Sequence, residues 1–96
     1  MIYKLYLDNI EQFNNLIIEK DLDLSKAIVK IITENIHTTD KTIPAVEIYI
    51  KNIGEIIVLS INSEDFADTL IRNLKIHEYH EDFETCMEIK KIIDIL

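Results

Sequence analysis

The sequence has one cysteine, one proline, one glycine and one arginine in 96 residues, and no tryptophan. Each scarcity removes a class of chemistry. With Cys86 alone, the chain has no intrachain disulfide and no cysteine-based metal cluster, which predicts a reducing, cytoplasmic setting. A lone glycine, Gly54, cannot expose the several backbone amides of a phosphate cradle, so nucleotide hydrolysis of the P-loop type is excluded. No apolar run of about 18 residues occurs, and Met1-Ile2-Tyr3-Lys4 opens an alternating segment where a signal peptide has a basic start and a long apolar stretch. The expectation is a protein that does not engage a membrane. Basic residues are also few, 10 against 18 acidic, for a net charge of -8. That field repels phosphate backbones and anionic lipid, so direct nucleic-acid binding is disfavoured and a protein partner with a basic surface is favoured.

What is present is apolar and branched. Hydrophobic residues make up 48% of the chain and isoleucine alone supplies 21 of them, enough for a globular core and for one domain over residues 1–96. Isoleucine, asparagine and lysine are favoured at the expense of alanine, glycine and arginine, as AT-rich coding produces.

Residues 2–7 alternate, with Tyr3, Leu5 and Leu7 on one side and Ile2, Lys4 and Tyr6 on the other, the pattern of a half-buried strand. Asp8 and Glu11 have capping-box spacing, and Ile10, Phe13, Leu16 and Ile17 then recur at helical intervals to about Lys20. Ser25 is placed to cap a second helix with Ala27, Ile28, Ile31, Ile32 and Ile36 along its apolar stripe, although its branched residues also permit a strand. Pro44 stands at the mouth of a strand in which Val46, Ile48 and Ile50 alternate with Glu47, Tyr49 and Lys51. Gly54 suits a positive-φ position in the hairpin that follows. The return strand, Glu55 to Ile61, carries the nearly continuous run Ile56-Ile57-Val58-Leu59, which predicts burial on both faces or a central place in the sheet. Asn62 or Ser63 can cap a third helix with a Phe66, Ala67, Leu70, Ile71 and Leu74 stripe. A last helix from about Asp82 to Ile95 is expected to bury Phe83, Cys86, Ile89 and Ile93. The order β-α-α-β-β-α-α predicts an α+β fold, a three-stranded and mainly antiparallel sheet packed by about four helices.

The stretch Glu81-Asp82-Phe83-Glu84-Thr85-Cys86-Met87-Glu88-Ile89-Lys90-Lys91-Ile92-Ile93 resembles the UVR motif, a helical hairpin of bacterial excision-repair nuclease subunits and of regulators of protein-degradation machines. Leu70, Leu74 and Ile76 match the preceding helix, so the resemblance covers residues 70–96. It implies pairing with another protein or a second copy of the chain through Phe83, Cys86, Ile89 and Lys90. Cys86 and Met87 depart from the family's small alanines, and Lys90-Lys91 replaces its Arg-Asp pair, without the fork of an arginine.

Candidate chemistry is sparse. His77 and His80, with Glu78, Glu81 and Glu84 nearby, have the spacing of a divalent-metal site, yet they fall at a helix junction where exposed polar residues are expected without a metal. His37 reads as a solvated loop histidine. Cys86 lies on an apolar stripe behind acids that raise a thiol pKa, so it is expected to pack and not to react. No catalytic residue, metal or cofactor is assigned, and the chain is expected not to be an enzyme. The function read from the residues is an acidic protein-interaction module that self-associates as a homodimer through its C-terminal helices, with Glu78, Glu81, Asp82, Phe83, Glu84, Glu88 and Lys90 as contact residues. Its acidic groups, Glu19, Asp21 and Asp23 together with the C-terminal set, also fit a small inhibitor of the phage anti-defence or toxin-immunity type that blocks a basic catalytic or nucleic-acid-binding site. Tyr3, Tyr6 and Tyr49 add a second surface, since tyrosines on an outer sheet face serve as interface anchors.

Overall fold

A computed structural model describes residues 2–18 and 21–96. The predicted alternation forms three strands: β1 (Tyr3–Leu7), β2 (Thr42–Ile50) and β3 (Glu55–Asn62). They lie in the order β1-β2-β3. The sheet is mixed: β1 runs parallel to β2, with Tyr3 opposite Val46 and Leu7 opposite Ile50, whereas β2 and β3 form an antiparallel hairpin. Parallel neighbours need a crossover, supplied here by α1 (Ile10–Ile18) and α2 (Leu22–Glu34). Residues 22–34 are thus helical despite their branched side chains. A short 3-10 turn (Ser63–Asp65) leads into α3 (Phe66–Tyr79), which folds back against α4 (Phe83–Ile95). No helix among the described residues is long and apolar enough to cross a membrane.

Local chemistry sets the boundaries. Asn9, not Asp8, caps α1: its Oδ1 accepts from the Gln12 amide at 3.0 Å, and the Gln12 side chain reaches back to the Asp8 amide at 2.7 Å. The predicted extension of this helix over Glu19 and Lys20 lies outside the described residues. Asp21, not Ser25, caps α2 by accepting from the Leu24 amide at 2.9 Å, which moves the start of the helix upstream and carries Ser25 into its interior. Neither Asn62 nor Asp65 makes a side-chain capping bond at the start of the third helical segment. Pro44 is accommodated where the β2–β3 register shifts between Pro44 and Val46, a bulge that excuses its missing donor. Gly54 takes the expected positive φ, 63°.

The core is one layer thick. Val46, Ile48 and Ile50 on the inner face of β2 pack with Ile32 of α2, Phe66 and Leu70 of α3 and Ile89 of α4, all essentially inaccessible. Tyr3 turns inward with Leu5 and Leu7 against this cluster, so of the three tyrosines only Tyr6 and Tyr49 occupy the outer face. Their rings stack at 4.8 Å, and the Tyr49 hydroxyl donates to Glu47 at 2.7 Å. That bond, followed by partial desolvation, holds the Tyr49 phenol above its ordinary pKa. Tyr6, Ile56 and Val58 on the outer face are each more than half exposed, and the molecule measures 42 × 33 × 17 Å.

Two predicted placements are overturned. β3 is an edge strand, with Ile56 58% and Val58 51% exposed. Its run of apolar residues gives no sign of its position, because position in the sheet is set by the β1–β2 crossover. Phe83 is 65% exposed, although it is in phase with the buried Cys86 and Ile89: side chains lean toward the helix N-terminus, so the first residue of α4 projects past the end of α3.

Candidate functional site

The stripe of α3 is rotated from the predicted one. Phe66 and Leu70 are buried, but Ile71 is exposed, and the next inward positions are polar: Asn73 and His77. Spacings of four, three and four residues from Phe66 place all four on one face. His77 was expected at an exposed junction; it is fully buried instead, because α3 continues to Tyr79. Opposite it on α2 is Ser25, carried inward by the upstream helix start.

These groups form one linked set. Ser25 Oγ lies 2.9 Å from His77 Nε2, and His77 Nδ1 lies 3.0 Å from Asp82 Oδ2. The order of hydroxyl, imidazole and carboxylate is that of a nucleophile, its base and the group that orients the base. The protons run the wrong way for that chemistry. Asn73 Nδ2 donates to the Thr69 carbonyl at 2.8 Å, which turns the amide oxygen toward Ser25, and the serine hydroxyl donates to that oxygen at 2.6 Å. With its only proton engaged there, Ser25 meets His77 as an acceptor. Asp82 can also only accept when ionised. Both ring nitrogens of His77 therefore face oxygen atoms, Ser25 Oγ at Nε2 and Asp82 Oδ2 at Nδ1. A general base needs the hydroxyl proton directed at the ring nitrogen, and here it is directed at Asn73 Oδ1.

What the set does instead is tie elements together. Ser25 belongs to α2, Asn73 and His77 to α3, and Asp82 is the cap of α4, accepting from the Thr85 amide at 3.5 Å. Lys26 of α2 adds a longer ion pair to Asp82 at 3.9 Å. The Thr85 side chain lowers the Asp82 pKa most; desolvation opposes it, and His77, the Thr85 amide and Lys26 add to the lowering. Among the described residues no buried side-chain polar atom lacks a partner.

The turn between α3 and α4 has an unusual residue at its centre. Asp82 N donates to the His77 carbonyl at 2.8 Å and Glu81 N to the Glu78 carbonyl at 3.0 Å, the paired bonds of a Schellman motif. Glu81 sits at φ 57°, the left-handed position that glycine usually fills.

The structure separates the predicted contact residues. Glu78, Glu81 and Phe83 are exposed around this turn. Glu84 and Glu88 line a groove of about 420 Å³ between α2 and α4, opposite Lys26 and Lys30, so part of the predicted acidic patch is faced by cations. Asp82 is turned inward to His77, and Lys90 is exposed on α4. Cys86 and Ile89, implicated by the UVR resemblance, are buried within the chain; what α4 leaves outside is Phe83, Met87, Ile95 and Leu96. No three metal-ligating side chains converge among the described residues. Ser25 is read in the sequence as a cap, and Asn73 is not singled out; their signal is a buried helical phase, shared by Ser25 with Val29 and Ile32 and by Asn73 with Phe66 and Leu70.

Comparison of the chain with protein-family models, with curated proteins and with solved structures gives no match.

Proposed function

We propose that the protein is a non-enzymatic interaction module whose contact surface is the tip of the α3–α4 hairpin. One observation carries the reading: Phe83, a large apolar side chain exposed at the tip, stands on a turn fixed from beneath by His77 and Asp82. A rigid aromatic anchor ringed by polar groups is how binding energy concentrates at interfaces. Met87, one helical turn on, extends the apolar patch. Glu78 and Glu81 supply its acidic rim, which favours a basic partner surface and steers its approach. Glu81 holds a backbone conformation that suits glycine better, and the side chain retained there is accounted for if it meets a partner. The resemblance to the UVR hairpin points to the same end of the molecule.

The test is capture from host extract by the wild-type protein and by Phe83→Ser, with thermal melting to show that the variant is folded. Loss of a specific protein by Phe83→Ser supports the reading; an identical captured set from both removes it. The second reading is an inhibitor seated in a basic site, favoured by the net charge of -8 and the exposed Glu78, Glu81, Glu84 and Glu88. Binding that weakens steeply with salt, and with the Glu78→Lys/Glu81→Lys pair more than with Phe83→Ser, selects it over the first.

A further inference from the structure

The edge of the sheet presents a mismatch between what a strand is made of and where it lies. β3 pairs with β2 on one side, and no strand among the described residues pairs with the other. Exposed edges in natural sheets are blunted by short length, lysine, proline or bulges. The opposite edge has such devices: β1 is five residues long with Lys4 within it. β3 has none. It is eight residues long, and Ile56-Ile57-Val58-Leu59-Ser60-Ile61 contains no charge, proline or glycine, while the only register shift in the hairpin lies in β2. A long, apolar and unblunted edge is a template for pairing with another chain.

We infer that a second copy of this chain covers β3, the two β3 strands pairing antiparallel about a two-fold axis to make one six-stranded sheet. An open edge is completed by a strand, and an antiparallel pairing of β3 with itself is self-complementary, as a two-fold interface requires. Directly opposed residues in an antiparallel pair share a face, so the axis passes at a residue and not between two; Val58 and Leu59 are the two at the middle of β3. Either register sets Glu55, the one charged residue of β3, opposite Ile61 or Ser63 of the second copy. Arg72, the only arginine of the chain, borders that end of β3 in a depression with Ser60, Ile61 and Asp65. It makes no ion pair among the described residues, so the two-fold brings Glu55 of each copy beside Arg72 of the other.

This goes beyond the hairpin-tip reading and is independent of it, because the edge and the tip lie on different elements. Light scattering on size-exclusion fractions of the full chain at tens of micromolar is expected to give a dimer. Val58→Lys, at a position already half exposed, is expected to give a folded monomer, and Phe83→Ser an unchanged dimer. Glu55→Arg and Arg72→Glu are each expected to weaken the dimer several-fold, and the two together to restore it. Amides of β3 in the wild-type protein are expected to gain protection as concentration rises, a measurement that needs no variant. A monomer at all concentrations overturns the inference. So does a dimer that Val58→Lys leaves intact or that Phe83→Ser dissolves.

Discussion

Ser25 and His77, 52 residues apart in sequence, meet at 2.9 Å in the centre of the helical layer. The contact is polarised from histidine to serine, since the serine proton is engaged by Asn73. A triad-like order of atoms therefore becomes a structural tie, and it is open to measurement. Ring-nitrogen spectra are expected to show a proton on His77 Nε2, donated to Ser25 Oγ, and a bare Nε2 accepting from the serine would contradict the assignment. Ser25→Ala leaves Asn73 Oδ1 and His77 Nε2 facing nothing, at an expected cost of about 1 to 3 kcal/mol in urea unfolding. A variant as stable as wild type would mean that water or a neighbour satisfies both groups.

Asp82 connects stability to acid. Its carboxyl lies below the ordinary range, chiefly through the Thr85 side chain and then His77 and Lys26. A group lowered in the folded state contributes fully above its unfolded pKa, and the contribution disappears as pH falls through the folded value. The difference in melting temperature between wild type and Asp82→Asn is thus expected to be constant near neutrality and to close in strong acid. A difference that persists unchanged at about pH 2 would place the effect of the substitution elsewhere.

Glu81→Gly is expected to stabilise the chain. A left-handed backbone disfavours a residue with a Cβ, and relief of that strain exceeds the added entropy of an unfolded glycine by roughly 0.5 to 1 kcal/mol. If the hairpin tip is the contact surface, the same variant binds its partner less well. Stability and binding then move in opposite directions, which separates this prediction from a general loss of structure.

Cys86 is buried, and that burial, aided by Glu78 and Asp82, raises its thiol pKa. Ellman's reagent at neutral pH is expected to label it slowly, at a rate that rises with added denaturant as the core opens. Prompt labelling of the native protein would show that α4 detaches readily.

The elements were legible in the sequence because they depend on period. Alternation located β1 and β2, helical spacing located α2 and α4 with part of their buried faces, Ile31, Ile32, Cys86 and Ile89 but not Val29 or Ile92, and Gly54 marked the hairpin. Features that depend on contacts between distant segments were not legible. The burial of His77 needs Ser25 from α2 and Asp82 from the next helix, and neither lies on a motif shared with it. The edge position of β3 follows from chain crossover, to which its composition is blind. Phe83 shares the phase of a buried stripe, and only the end of α3 decides that its side chain has nothing to lie against. Of the candidate site, the residue numbers around the tip were readable, but the inward turn of Asp82 and the lysines facing Glu84 and Glu88 were not.

The first crossover helix, α1, holds no fully buried side chain, whereas α2, α3 and α4 share the Ser25, His77 and Asp82 tie. Opening the shared tie means unfolding much of the molecule, but α1 can lift away on its own. Its amides are expected to exchange with deuterium well before those of Leu24 to Ile32, making this stretch a place where the native chain breathes without coming apart.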